Sequence, residues 1–256
     1  MAKKCILILL NIFILISCHN KNGDIKKKYY ISGELESYGS YIQDSIPIDT
    51  IFSFYKNGNY KSICVYNKAG NLDGTTKTFF ENGNLYHEIP YEDGILNGFV
   101  NEFDSLTGYL HSKQFYFADT KSGDLYIYKK SQIVYYAFYD FSDRKINHIE
   151  YDSSFKISRD IRQEIFLDTL TNLKDGNYQL IVLLSNPPKT YNKIEIQSFS
   201  VNGNIIECDT IIGHDSYFYK EAPLTDTIAG IKIIMNQFDS VLNKFIYQED
   251  TKKLLK

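Results

Sequence analysis

The chain of 256 residues has no tryptophan, only four cysteines and no excess of basic side chains. Once Lys3 and Lys4 are set aside, 26 basic side chains stand against 31 acidic ones. A domain that binds nucleic acid usually carries a basic surface, so this balance argues against nucleic acid as a partner. The apolar fraction of 43% is ordinary for a folded protein, and the length allows one or two domains with cores of their own.

Short catalytic signatures are also missing. The sequence has no Gly-x-Ser-x-Gly elbow, no phosphate-binding glycine loop, no His-Glu-x-x-His and no calcium loop. His87 and His111 occupy similar places in neighbouring repeats, but two histidines make a poor zinc site. His214-Asp215-Ser216 contains the residue types of a catalytic triad, yet adjacency does not place side chains in relay order, so we interpret it as a loop. The sequence therefore predicts no catalytic residue, no metal and no cofactor.

The N-terminus has the composition of a secretory signal. Lys3 and Lys4 precede an apolar run from residue 5 to residue 16 that only Asn11 interrupts. This run is shorter than the roughly 20 apolar residues that a membrane-spanning helix needs. We therefore expect residues 1–17 to be a signal peptide.

Leu15-Ile16-Ser17-Cys18 at the end of this run resembles the lipobox of bacterial lipoproteins. The resemblance implies cleavage before Cys18, acylation of Cys18 and attachment to a membrane outside the cytoplasm. Of the two membranes of the envelope, we favour the outer. The alternatives are ordinary secretion and an uncleaved anchor. Residues 18–28 are polar and predict a tether; Lys26, Lys27 and Lys28 could contact anionic lipid, although a solvated tether is favoured.

Two cysteines remain beyond the signal and the lipobox, Cys64 and Cys208. A disulfide between them is possible in an oxidising envelope, but two cysteines form no framework. Two separate thiols are the favoured interpretation.

A repeat of twenty-five residues is the clearest internal pattern. Gly33, Gly58, Gly83 and Gly108 stand at equal intervals, and Gly58 and Gly83 share the setting aromatic-x-Asn-Gly-Asn followed by Tyr or Leu. A second glycine recurs about half a period further on, at Gly74, Gly98 and Gly123. Asn-Gly pairs favour tight turns, and the flanking aromatic and β-branched segments favour strands. Each unit therefore predicts a hairpin, and successive hairpins predict one antiparallel meander.

The repeat resembles the MORN-variant repeats of bacterial envelope proteins over about residues 29–128. Gly83-Asn84-Leu85, Tyr91 and Gly94-Ile95-Leu96-Asn97-Gly98 carry the resemblance best. It implies a repeat-built sheet, and in some relatives an antitoxin label or a role in lipid or protein binding. It implies no catalytic residue.

The C-terminal part has a different sequence pattern, without the repeat. Strands continue without a clear repeat to residue 151, and residues 152–256 predict a separate β-sandwich, immunoglobulin-like but without a Cys–Trp–Cys hallmark. The nearly all-apolar stretch 178–184 predicts a central strand covered on both faces, and Asn202-Gly203 predicts a hairpin turn. The expected fold is all-β, with a repeat β-meander over 29–151 followed by the sandwich.

Three functions remain compatible with the sequence. The first is a non-enzymatic binding or scaffold lipoprotein, whose partners are the membrane and an unidentified protein. The second is an antitoxin- or immunity-like protein. The third is an envelope hydrolase, because paired carboxylates have no short signature.

Overall fold

The structure is a computed structural model that describes residues 23–43, 45–162, 166–173, 177–213, 217–223, 228–240 and 243–253. Within these ranges every regular element is a β-strand, which confirms the predicted all-β class. The strands form one large antiparallel sheet followed by two smaller sheets.

The large sheet, here called the repeat sheet, has thirteen strands that pair almost entirely in chain order. Its strands are β1 Asp24–Tyr29, β2 Leu35–Ile42, β3 Ile46–Phe54, β4 Tyr60–Tyr66, β5 Gly74–Phe79, β6 Leu85–Glu92, β7 Ile95–Leu96, β8 Gly98–Phe103, β9 Leu110–Phe117, β10 Thr120–Lys129, β11 Gln132–Tyr139, β12 Lys145–Tyr151 and β13 Ile157–Ile161. The short β7 pairs only with β6 and lies off the main path.

The four repeat glycines lie in the hairpin turns along one edge of this sheet, here called the glycine edge. Gly33, Gly58, Gly83 and Gly108 all have positive φ, between 68° and 102°. In the Gly58 turn, Gly58 N donates to Tyr55 O at 2.9 Å and Tyr55 N donates to Asn59 O at 2.8 Å. The register then shifts by one residue, which is a bulge that only a left-handed residue closes easily.

Asparagine side chains join each of these turns to the next. Asn57 Nδ2 and Asn59 Nδ2 both donate to Glu81 O, at 2.8 and 2.9 Å. One repeat later, Asn82 Nδ2 and Asn84 Nδ2 donate to Ser105 O at the same distances. The asparagines therefore stack the turns on one another as well as shaping them.

We expect Gly58→Ala to lower the free energy of unfolding by about 1–2 kcal/mol, because alanine is strained in the left-handed region. A Cβ at Gly58 would meet no atom within 4 Å, so the loss would come from the backbone alone. Urea denaturation measures the effect. Glu81→Ala, an exposed substitution in the next turn that keeps the Glu81 carbonyl, is the control and should change stability by less than about 0.5 kcal/mol. Equal losses in both variants would contradict the argument.

The repeat sheet is longer than its glycines indicate, at both ends. β1 begins at Asp24, so residues 24–28 of the expected tether belong to the sheet. Its lysines lie on an edge strand, where charge discourages pairing with other chains. At the other end β13 pairs with β12, so the sheet passes the boundary suggested at residue 151 and ends at Ile161.

The remaining strands form the sandwich, as predicted. They are β14 Phe166–Asn172, β15 Asn177–Leu184, β16 Thr190–Phe199, β17 Ile205–Gly213, β18 Tyr217–Pro223, β19 Gly230–Asp239 and β20 Lys244–Lys253. One sheet has the order β14-β15-β18 and the other has the order β17-β16-β19-β20. In an immunoglobulin constant domain the fourth strand pairs in the sheet of the first, second and fifth strands. Here the fourth strand, β17, pairs with β16 because the short Asn202-Gly203 turn joins them.

β15 is buried on both faces. Tyr178, Leu180 and Val182 point into the core between the two sandwich sheets. Leu183, on the opposite face of the strand, packs into a second core together with residues of the repeat sheet. The apolar run 178–184 lies in the middle of three stacked layers, with the repeat sheet on one side and the second sandwich sheet on the other. The prediction of a strand covered on both faces is confirmed.

Candidate binding surface

One face of the repeat sheet, here called the front face, can be followed across all its long strands by the strand register. Directly paired residues share a face. They run from Tyr38 in β2 through Lys77 in β5 and Lys113 in β9 to Ile149 in β12. Tyr136 and Ile149, at the far end of this row, are fully buried against the sandwich.

The sandwich covers the second half of the front face. The shared core contains Phe115, Tyr136, Phe138 and Ile149 from the repeat sheet, and Leu183 from the sandwich. Tyr217 of β18 contributes as well, with its ring centroid 5.3 Å from that of Phe115. Burial of several large apolar side chains on this scale stabilises the contact by several kcal/mol.

A buried hydrogen-bond network completes this junction. Tyr136 Oη donates to Asp124 Oδ1 at 2.8 Å and lies 2.7 Å from Ser185 Oγ. Asn186 donates to both Asp124 carboxylate oxygens, through its backbone N at 3.0 Å and its Nδ2 at 2.9 Å. Burial, and then the nearby Asp124 carboxylate, raise the pKa of Tyr136 well above its ordinary value, so its hydroxyl stays a donor. Asp124 and Tyr136 belong to the repeat sheet and the other two to the sandwich, so the network ties the two units together.

The first half of the front face carries a ladder of aromatic rings, here called the aromatic ladder. Tyr38 stacks on Phe52 with ring centroids 4.8 Å apart, and Phe54 stacks on Tyr60 at 5.1 Å. Phe79 extends the ladder to β5, 5.9 Å from Tyr60. None of these rings belongs to the core shared with the sandwich, and Tyr60 is 42% exposed.

Charged residues separate the two halves of the front face. Lys77 and Glu88 form an ion pair at 3.0 Å, and Asn101 Nδ2 donates to Glu88 at 3.2 Å. Lys113 lies beyond them with its ammonium 4.0 Å from the Phe99 ring centroid, and burial lowers its pKa. The face therefore alternates from aromatic to charged and back to aromatic.

The opposite face carries a row of polar side chains that includes His87. Thr78 Oγ1 lies 3.3 Å from His87 Nδ1, and Glu102 is paired directly opposite His87. Ser112 Oγ donates to Glu102 at 3.0 Å. Burial lowers the pKa of His87, against a smaller opposing effect of Glu102, so the ring is largely neutral at neutral pH.

His111 lies apart from this row and lines a hollow at the glycine edge. Among the described residues, no cluster of three or more metal-ligand side chains is present. Cys64 in β4 and Cys208 in β17 are both free thiols in the structure and form no disulfide with each other. Cys18 and the segment His214-Asp215-Ser216 lie outside the described residues.

Comparison with protein-family models and with curated proteins found no match for this chain. The resemblances to lipoproteins and to MORN-variant repeats therefore stay predictions. The described part of the chain contains no helix with the length and apolarity required to cross a bilayer.

Proposed function

We propose that the protein is a lipoprotein of the cell envelope, anchored through Cys18, whose repeat sheet serves as a non-enzymatic binding scaffold. The anchor rests on the lipobox pattern of the sequence, and the outer membrane is the favoured location. The binding role rests on one observation, the aromatic ladder on the front face outside the area that the sandwich covers.

The packing of the sandwich supports this role, because the sandwich already covers the second half of the front face. It packs on rows of aromatic side chains that lie in register with the aromatic ladder. Tyrosine and phenylalanine are enriched in the buried centres of protein interfaces, where they supply large apolar areas. A second protein that lies on the ladder would use the same chemistry.

Photo-cross-linking in intact cells tests this proposal. Replacement of Tyr60 by p-benzoylphenylalanine should yield a discrete cross-linked protein adduct, because Tyr60 lies in the ladder and is 42% exposed. The matched control is the same replacement at Tyr219, a sandwich residue that is 46% exposed. Adducts from the Tyr60 variant alone support the proposal. Identical adducts from both positions, or none from Tyr60, contradict it.

A further inference from the structure

The glycine edge changes character at the β10–β11 hairpin. The asparagine contacts that stack the earlier turns end at Ser105 O, and the next turn is reduced to the two residues Lys130 and Ser131. Two hollows of about 480 and 470 Å³ lie between this hairpin and the turn that follows it. Both are lined by Tyr151 and Phe155, and the two together are here called the groove.

Backbone strain is concentrated in this groove. Six described residues other than Gly, Asp and Asn have positive φ, and two of them, Gln43 and Ala118, lie elsewhere. The other four line the groove: Lys130, Ser131, Phe155 and Lys189. Phe155 is the least expected, because a bulky residue rarely adopts this conformation. Phe155 N donates to Asp152 O as Gly58 N donates to Tyr55 O, so Phe155 stands where an earlier turn has glycine, and its ring is held there at an energetic cost.

The groove is cationic. Lys129, Lys130 and Lys189 line it, and none of them forms an ion pair with another described residue. The one acidic residue in the lining of these two hollows is Asp152, whose Oδ1 accepts from Ser154 N and Lys156 N. Its carboxylate keeps its negative charge, but the three lysines outnumber it.

The groove also offers flat apolar surfaces. Tyr128, Tyr151, Phe155 and Pro188 line its second hollow, and Tyr151 also packs against the core shared with the sandwich. Ser131, Gln132 and Ser153 supply neutral hydrogen-bonding groups between the lysines and the rings. An acidic sugar chain combines apolar ring faces, hydroxyl groups and carboxylates. An acidic peptide lacks the repeated ring faces that the three aromatic side chains match.

We propose that this groove binds an acidic polysaccharide. The ammonium groups of Lys129, Lys130 and Lys189 meet its carboxylates, and the rings of Tyr128, Tyr151 and Phe155 lie against its sugar rings. This site is separate from the aromatic ladder, so the two proposals can fail independently.

Binding of the detergent-solubilised full chain to an oligogalacturonate hexamer tests the proposal by calorimetry. We expect measurable affinity that falls as sodium chloride rises from about 0.05 to 0.5 M, and no binding of neutral maltohexaose. The double variant Lys129→Ala/Lys130→Ala should bind about tenfold more weakly. The double variant Lys61→Ala/Lys68→Ala, at exposed lysines elsewhere on the repeat sheet, should bind as the wild type does.

Phe155→Gly separates binding from folding. Glycine relieves the strained φ of 58° at this position while it removes the ring, so the melting temperature should hold or rise as the affinity falls. A fall in stability without loss of affinity would mean that Phe155 is structural and would overturn the proposal. Absent binding, equal losses in both lysine double variants, or tighter binding of a hexaglutamate peptide would also overturn it.

Discussion

Asp124→Ala should lower the free energy of unfolding by about 2–5 kcal/mol, one of the largest effects of any single substitution outside the apolar core. The change removes the carboxylate that accepts from Tyr136 Oη and from two groups of Asn186. All three residues are almost fully buried, so water cannot easily replace the lost acceptor. Calorimetry should show the main transition about 5–15 °C lower than in the wild type.

Two comparisons test whether the loss comes from the junction between the repeat sheet and the sandwich. Tyr136→Phe removes one donor and keeps the ring, so it should cost only about 1 kcal/mol. Asp124→Ala should also separate the unfolding of the two units, because the network is shared between them. A single transition at the wild-type temperature in Asp124→Ala would show that the network does not join the units.

The local parts of the fold could be predicted from the sequence because each has a local cause. Asn57-Gly58 and Asn202-Gly203 specify turns through the left-handed conformation, and both form the predicted hairpins. The apolar stretch 178–184 predicts a strand covered on both faces, and the structure confirms it. This apolar stretch is the only local sequence signal that the repeat sheet packs on the outer face of the sandwich.

The packing of the sandwich on the front face could not be predicted. The contact between Phe115 and Tyr217 joins residues about a hundred positions apart, and neither segment carries a sequence signal that identifies the other as its contact. The buried network could not be predicted either, because Asp124 directly follows the repeat glycine Gly123 and nothing in the repeat distinguishes it as a buried hydrogen-bond acceptor. Such contacts depend on tertiary placement rather than on periodicity.

Glycine spacing alone indicates a shorter repeat than the structure has. Ser131 and Phe155 take the left-handed turn position 23 and 24 residues after the preceding ones, with φ of 61° and 58°. The hairpin period continues while the composition signal disappears. The second glycine of each unit also has a cause that the sequence does not show: Gly74 and Gly98 lie directly opposite Tyr91 and Tyr116. Such a pairing lets an aromatic ring cover the backbone of a glycine in a strand.

Cys18→Ser should abolish lipid attachment completely, since the resemblance to the lipobox implies that the Cys18 sulfur is acylated. Cells grown with labelled palmitate should label the wild type and leave the variant unlabelled, as a precursor that keeps residues 1–17. Five residues separate Cys18 from Asp24, the first residue of β1, and the six steps between their Cα atoms span at most about 20 Å. The anchor would therefore hold the lysine-bearing edge strand near the bilayer, where each lysine could add about 1 kcal/mol on an anionic surface.

Cys5→Ser is the matched control, because Cys5 lies inside the apolar run and should leave both cleavage and labelling intact. Two or more acyl chains hold a protein on a membrane stably, whereas one holds it only marginally. The wild type should consequently stay with the membrane pellet after a salt wash that screens the lysines. Equal labelling of the Cys18→Ser variant and the wild type, or a mature N-terminus at a residue other than 18, would remove the anchor from the proposed function and leave only the binding scaffold to be tested.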